Sequence, residues 1–468
     1  MLRARPAWCV LALACAGCAT APKYERPTVV TSEAYKELGP WQAAGVAVPP
    51  AGKWWELFGD PVLSGLAERI EAGNPTLAAS AARYAQAAGA AARARGELAP
   101  EVDASAAAGG ARVSAGRPLS SGSAVTYGNY VVGASLSYEL DLFGRVRNSV
   151  RASEAKSQAA LFDTAAVRLG LQARLADVYF DLRGLDARIA LLRETVEAYE
   201  RAYELTDVRH RGGIASGIDV SQAQTQLSSA RAELEAAIGE RATGEHALAV
   251  LVGETPSGFA LAPADLGLAP PRVPPGVPSL LLERRPDVAA AERRVAAANA
   301  EIGVARAALF PSLTLGAAAG FQTTSGGLLS VANGFWALGP LSAVLSIFDN
   351  GARRANVRIT RAQYDEAVAQ YRETVLQAFR EVEDNLATAR QLESQERHQH
   401  EAAAAAERTR DLAMTRYRHG ASDYLEVVAA QAVALNTRRS LIDVQSRQLR
   451  VATDLVRSLG GLYETARP

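Results

Sequence analysis

The stretch Arg209-His210-Arg211-Gly212-Gly213-Ile214-Ala215-Ser216-Gly217-Ile218-Asp219-Val220 returns later as Arg416-Tyr417-Arg418-His419-Gly420-Ala421-Ser422-Asp423-Tyr424-Leu425-Glu426-Val427. The shared frame is R-x-R-x-G-x5-(D/E)-V-x3-Q, closed by Gln224 in the first copy and Gln431 in the second. Matched residues lie 207 positions apart (420 − 213 = 207), and Gly253 meets Gly460 at the same offset. Upstream, Asn74-Pro75 is followed by Ala99-Pro100, and Arg285-Pro286 by Phe310-Pro311, each over 25 residues and at an offset of 211. One supersecondary unit has been duplicated, so the two copies play equivalent parts in a pseudo-symmetric object. Rings and tubes are built that way; active sites are not.

Each copy of the frame closes a long helical stretch. Leu182, Leu185, Ile189, Leu192, Val196, Tyr199 and Tyr203 alternate spacings of 3 and 4, a heptad seam. The pattern runs from Arg145 to about Val208, on the order of 90 Å at 1.5 Å per residue. A second stretch from Ala352 to Arg416 places Tyr364, Val368, Tyr371, Val375, Val382 and Leu386 on one face. Return helices are expected over 220–252 and 425–459, and shorter ones over 75–98 and 287–309. Gly213 and Gly420 supply the positive φ that reverses the chain, where a residue with a Cβ is strained by about 1–2 kcal/mol.

Between the short and long helices lie strands. Tyr130, Val132, Ala134, Leu136, Tyr138, Leu140 and Leu142 alternate with Val131, Gly133, Ser135, Ser137, Glu139 and Asp141. That period of two suits a strand with lipid on one face and a wet lumen on the other. Residues 313–323 repeat it; 102–113 is weaker and Ala-rich; 335–348 is apolar on both parities, with a bulge or edge expected at Gly339-Pro340. Four strands are too few for a membrane barrel, whose minimum is about eight, and open edges in hydrocarbon are prohibitively costly. Other copies of the chain must complete the sheet.

The 468 residues carry 50 basic and 50 acidic side chains, a balance that argues against nucleic acid as the partner. Arg3 and Arg5 precede a short apolar run, Trp8 to Ala14, that reads as a signal peptide. It ends in Cys15-Ala16-Gly17-Cys18, which resembles the lipobox of bacterial lipoproteins; cleavage before Cys18 would leave it as the lipidated residue and the only thiol, with cleavage at Cys15 the alternative. Each buried acyl methylene adds about 0.8 kcal/mol of anchoring, and by resemblance to sorted lipoproteins Ala19 after the cysteine, rather than Asp, implies the outer membrane. The expected layout is a signal peptide over 1–17, a lipidated extended segment over 18–60, a first repeat over 61–255, a Pro-rich crossover over 256–284, a second repeat over 285–461 and a tail over 462–468.

Several motifs then converge. Ala21-Pro22-Lys23-Tyr24-Glu25-Arg26-Pro27, Trp54-Trp55-Glu56-Leu57-Phe58-Gly59-Asp60-Pro61-Val62-Leu63 and Leu282-Glu283-Arg284-Arg285-Pro286-Asp287-Val288 with Ala290-Ala291-Glu292-Arg293-Arg294 resemble the signatures of outer-membrane efflux lipoproteins. Leu140-Asp141-Leu142-Phe143-Gly144-Arg145 and Ile347-Phe348-Asp349-Asn350-Gly351 match their strand-to-helix junctions. The chain thus resembles TolC-type outer-membrane channels of the branch serving resistance-nodulation-division pumps. The resemblance implies a mainly α fold with a transmembrane β-barrel: a homotrimer whose twelve strands close a barrel that continues into a periplasmic α-barrel. It implies a periplasmic adaptor and an inner-membrane pump as partners, outer-membrane lipid around the barrel, and passive conduction. A type I protein secretion channel and a periplasmic coiled-coil scaffold are the alternatives.

The candidate sites follow. Arg209, Arg211, Gly213, Arg416, Arg418 and Gly420 form two tips; the arginines suit the negative ends of the helix dipoles, and by resemblance the tips dock the adaptor. Leu425, Ala429, Ala432, Asp423 and Glu426 form the periplasmic gate. Related channels carry an acid and an Arg where Ala429 and Ala432 stand, so this gate is expected to be apolar, unless Asp423 or Glu426 substitutes. No zinc-protease, nucleophile-elbow, P-loop or paired-cysteine motif appears, so neither an enzyme nor a cofactor or metal is expected. His398 and His400 read as a solvated face, and His210 and His419 fall at the tips.

Overall fold

A computed structural model describes residues 21–29, 34–37, 52–116, 122–271, 284–324 and 328–461. Cys18, the signal peptide, residues 272–283 of the Pro-rich crossover and the tail lie outside them. The helices are α1 Pro61–Gly73, α2 Pro75–Gly96, α3 Arg145–Arg211, α4 Gly217–Leu251, α5 Pro286–Ala307, α6 Ala352–Arg418 and α7 Tyr424–Ser458. The strands are β1 Glu101–Val113, β2 Val125–Leu140, β3 Ser312–Thr323 and β4 Gly334–Val344. The duplication is explicit in lengths: α3 and α6 each have 67 residues, α4 and α7 each 35, α2 and α5 each 22. The chain divides into two compact units.

The first unit (1–28, 83–161 and 290–372) contains the sheet, antiparallel throughout in the order β1-β2-β3-β4. Its register sorts the residues by face. Val102, Ala104 and Ala106 oppose Leu136, Ala134 and Val132, which in turn oppose Ala317, Ala319 and Phe321. Glu101, Asp103 and Ser105 oppose Ser137, Ser135 and Gly133 on the other face. Leu315 pairs Leu341 while Ala317 pairs Leu338, so β4 holds an extra residue at Gly339-Pro340, as the sequence predicts.

Three strand ends correct the sequence reading. β2 starts at Val125 rather than Tyr130 because Val125 to Asn129 pair with Gly109 to Val113. It stops at Leu140, since Asp141 turns away to accept Val146 N (3.2 Å) and Arg147 N (2.8 Å) and so caps α3. β4 stops at Val344 rather than Phe348, and Asp349 caps α6 through Gly351 N and Arg353 N. At the two ends that stop short, a helix cap outcompetes one more ladder pair.

Segment 21–29 runs beside α5: Asn299 Nδ2 donates to Pro22 O (3.0 Å) and the Tyr24 hydroxyl donates to Glu292. The family-like acid Glu292 thus receives the family-like tyrosine.

The second unit (29–82, 162–289 and 373–468) holds the largest apolar core. Trp54, Leu63, Ile70, Leu175, Phe180, Leu182, Leu248, Leu386 and Leu455 are buried there. The heptad seam lands as expected, with Leu182, Ile189, Leu192 and Tyr199 buried and Leu185, Val196 and Tyr203 half-buried. Arg285 explains its motif: it bonds Asp287 (2.6 Å), Glu381 (2.8 Å) and the Ser458 carbonyl (3.0 Å), tying the start of α5 to α6 and the end of α7. Gly253 and Gly460 both adopt positive φ (80° and 87°) where the hairpins end.

Candidate functional site

Both hairpin tips fold on one backbone plan. Gly213 and Gly420 each have φ 73°, the left-handed conformation expected of them. Gly213 N donates to His210 O (2.9 Å) and Ile214 N to Arg209 O (2.8 Å); Gly420 N donates to Tyr417 O (2.9 Å) and Ala421 N to Arg416 O (2.9 Å). These bonds satisfy the last carbonyls of α3 and α6. Each return helix then opens on a cap at the same repeat position, Ser216 for α4 and Asp423 for α7.

The four arginines separate in role. Arg209 is half-buried, its guanidinium 4.5 Å from the centre of the Tyr417 ring while Nη1 donates to Tyr417 O at 2.6 Å. It joins the first tip to the second, an interaction worth about 1 kcal/mol for the ring contact alone. Arg416 is exposed and pairs with Glu426 (3.0 Å), Arg211 pairs with Asp207 (2.9 Å), and Arg418 is exposed. His210 Nδ1 lies 2.9 Å from Ala215 O within its own turn, and His419 is exposed. Exposed His398 lies 3.8 Å from Glu401, and among the described residues no group of three or more metal-ligating side chains occurs.

Sequence reading missed the tyrosines beneath the tips. Tyr417 and Tyr424 meet edge to face at 5.2 Å, both buried, in a cluster with Ala202, Ala223, Ala413, Val427 and Ala430. The Tyr417 hydroxyl donates to Thr206 Oγ1 (3.3 Å), and Thr206 in turn donates to Ala202 O. Burial pushes the Tyr424 phenol above its ordinary value. The signal for these residues lay where the copies differ: His210 and Gly217 stand at the positions of Tyr417 and Tyr424.

The residues expected to form a gate fall on two faces of α7. Leu425 (57% exposed) and Ala429 point away from the core, Ala432 is half-buried, and Tyr424, Val427, Ala430 and Gln431 pack inward. Asp423 accepts Glu426 N (3.1 Å) as the helix cap, and Glu426 is held by Arg416. Both acids are therefore committed within the chain, and the free face of the first α7 turns is apolar.

The profile described as outer membrane efflux protein matches residues 66–254 and 277–461. Outer membrane protein OprJ of Pseudomonas aeruginosa is 32% identical over 464 residues, covering 98% of this chain and 96% of the relative. The toluene efflux pump outer membrane protein TtgC of Pseudomonas putida is 32% identical over 459 residues, covering 97% and 94%. The solved outer-membrane channel OprN superposes with a TM-score of 0.89 at 30% identity, covering 95% of this chain and 99% of that one.

Proposed function

We infer the working arrangement from one premise: the chain belongs to the outer membrane efflux protein family and is an outer-membrane efflux channel, not an enzyme. Three copies would each contribute four strands to a twelve-stranded barrel that continues into a periplasmic α-barrel. The tips at Gly213 and Gly420 would dock a periplasmic adaptor, which links the channel to an inner-membrane resistance-nodulation-division pump. Cys18 would carry the lipid that holds the chain in the outer membrane beside the barrel. Substrates would then pass outward without energy input from this chain, choice of cargo resting with the pump.

One observation carries this reading. The four-stranded sheet has an apolar face, a polar face and two open edges, β1 and β4. In hydrocarbon each unpaired backbone group costs several kcal/mol, so the edges must meet other edges. The test is the mass of the detergent-extracted protein together with its conductance in a planar bilayer. A three-copy particle that opens discrete, long-lived conductance steps supports the reading. A monomer without conductance would remove it.

A further inference from the structure

We propose that Arg354, Arg358 and Arg361 of α6 form a binding surface for the phosphates of anionic phospholipid headgroups, at the foot of the barrel in the periplasmic leaflet. This rests on the barrel and lipid-anchor reading above and adds a lipid contact to it.

Charge is spread unevenly along the long helices. From Ala352 to Tyr364 α6 carries four arginines and no acid, and from Arg145 to Ser153 α3 carries three and no acid. The helix dipole favours acids at this end, yet neither helix has one in its first turn. Helix preference therefore does not account for the arginines. Arg147 and Arg151 recur at the 207 offset as Arg354 and Arg358, while Glu154 gives way to Arg361. The α3 pair is engaged within the chain: Arg147 bonds Asp141 (3.1 Å) and Arg151 bonds Asn148 (3.4 Å). Arg354, Arg358 and Arg361 are exposed and, among the described residues, have neither an ion pair nor a hydrogen bond.

The three form one stripe, and it faces outward. A helix turns about 100° per residue, which puts them within about 60° of one another and along about 10 Å of α6. Arg145, the first residue of α3, donates to Glu139 (2.7 Å), which shares the polar sheet face with Ser137 and Glu101. Arg147 and Arg151 lie about 160° and 120° around the helix from Arg145, and their twins on α6 hold the same repeat positions. With the polar face toward the lumen, the arginines look to the side of the apolar face. There Val102, Leu338 and Trp336 are 65%, 77% and 81% exposed.

The lipid anchor supplies the level. Ala21 packs on α5 so closely that a Cβ at Gly303 would come within 2.6 Å of the Ala21 Cβ and of Asn148 Nδ2. Asn148 stands between Arg147 and Arg151, in the turn whose twin carries Arg354 and Arg358. Ala21 is thus level with the arginines, and the three residues back to Cys18 span at most about 11 Å. An acylated Cys18 would lie at the headgroup layer, within reach of the stripe. A guanidinium gives a phosphate two parallel hydrogen bonds, which an ammonium does not. Basic clusters beside a bilayer also select anionic over neutral headgroups. A phosphatidylglycerol fits both features, its phosphate on the arginines and its acyl chains along the apolar face of the strands.

The experiment uses the full-length protein extracted in a neutral detergent. It is titrated with phosphatidylglycerol, with phosphatidylcholine of the same acyl chains and with inorganic phosphate, and bound molecules are counted by native mass spectrometry. The parent should retain phosphatidylglycerol at a several-fold lower concentration than phosphatidylcholine. Arg354→Gln/Arg358→Gln/Arg361→Gln should lose most of that preference, and Arg147→Gln/Arg151→Gln a smaller part. The control, Arg372→Gln/Arg380→Gln/Arg397→Gln, removes the same charge from exposed positions about 17 Å or more further along α6 and should behave as the parent. A preference that survives the first variant overturns the site, and an equal loss in the control reduces it to net charge. Inorganic phosphate held as firmly as phosphatidylglycerol would replace the lipid by a free anion and overturn the proposal too. A parent of other than three copies, or chains without the mass of an acyl group, would instead remove the reading beneath this inference, and the inference with it.

Discussion

The two hairpin tips have the same backbone and different side-chain commitments. Both turn on a glycine at φ 73°, and both open the return helix on a side-chain cap. In the first, Ser216 and Asp219 bond reciprocally, a closed capping box. In the second, Asp423 caps but Glu426 is diverted to Arg416. The first tip leaves Ile214 (72%) and Ile218 (69%) exposed, where the second has Ala421 and Leu425. Gln224 is exposed while its twin Gln431 is buried. The duplication has kept what the turn needs from the backbone and released what the side chains do. The first tip presents an apolar surface outward, and the second turns inward on its tyrosines.

The largest effect is expected where the tips are alike. Valine at Gly213 or Gly420 is strained by about 1–2 kcal/mol at that φ, so both variants should lose most efflux while trimer yield stays near parental. Parallel loss of trimer and efflux would mean that these glycines serve assembly. Because no other atom crowds a Cβ at Gly213, and only Arg209 Nη2 lies near one at Gly420 (3.8 Å), the two losses should be similar.

A smaller effect separates the tips. Arg209→Ala removes the ring contact and the bond to the Tyr417 carbonyl, and Arg416→Ala removes one exposed ion pair worth about 0–1 kcal/mol. Arg209→Ala should raise closed-state conductance several-fold and Arg416→Ala should change it little. Equal responses would show that the contact between tips does not hold the channel shut.

The proposed gate gives the next contrast. Ala429→Asp should raise cation preference, because three carboxylates would ring the pore. Adding Ala432→Arg should lower closed-state conductance through a salt bridge. The same positions in the first hairpin, Gln222 and Thr225, should tolerate such changes without effect on selectivity. Absence of any change at 429 would place that residue away from the pore.

How much of this was legible in sequence depends on how local each cause is. Gly213 and Gly420 were, since a positive φ is a property of one residue, and so were the Leu182 to Tyr203 seam and the alternating faces of β2. The strand ends at Leu140 and Val344 were misjudged because hydrophobicity continues past them while Asp141 and Asp349 take the backbone into caps. Arg285 was legible as a motif, but its partners Glu381 and Ser458 stand 96 and 173 residues away. The contact of Arg209 with Tyr417 was hidden for a further reason: it spans 208 residues and its tyrosine has no twin in the other copy.

The smallest expected effect concerns another pair of twins, Asp177 on α3 and Asp384, 207 residues on, on α6. Asp384 is exposed. Asp177 is not: its Oδ1 is shut from solvent and, among the described residues, has no hydrogen-bond partner. Burial is the main cause, and Asp454 of α7 a second, of a carboxyl raised to about 7; Asp181 adds to this, while Arg450 and Arg174 oppose it. A carboxyl whose folded value exceeds its unfolded one, about 3.9, binds its proton more tightly in the folded state. Its stabilising contribution is complete below that unfolded value and is lost as pH rises toward 7. Asp177→Asn removes the ionisation, so the variant should melt higher than the parent at about pH 8 and match it near pH 4, with a gain of roughly 1–3 °C. Asp384→Asn serves as the control and should follow the parent across the range. Parallel melting curves for parent and Asp177→Asn would show that Asp177 stays solvated and that the two twins have not diverged at this position.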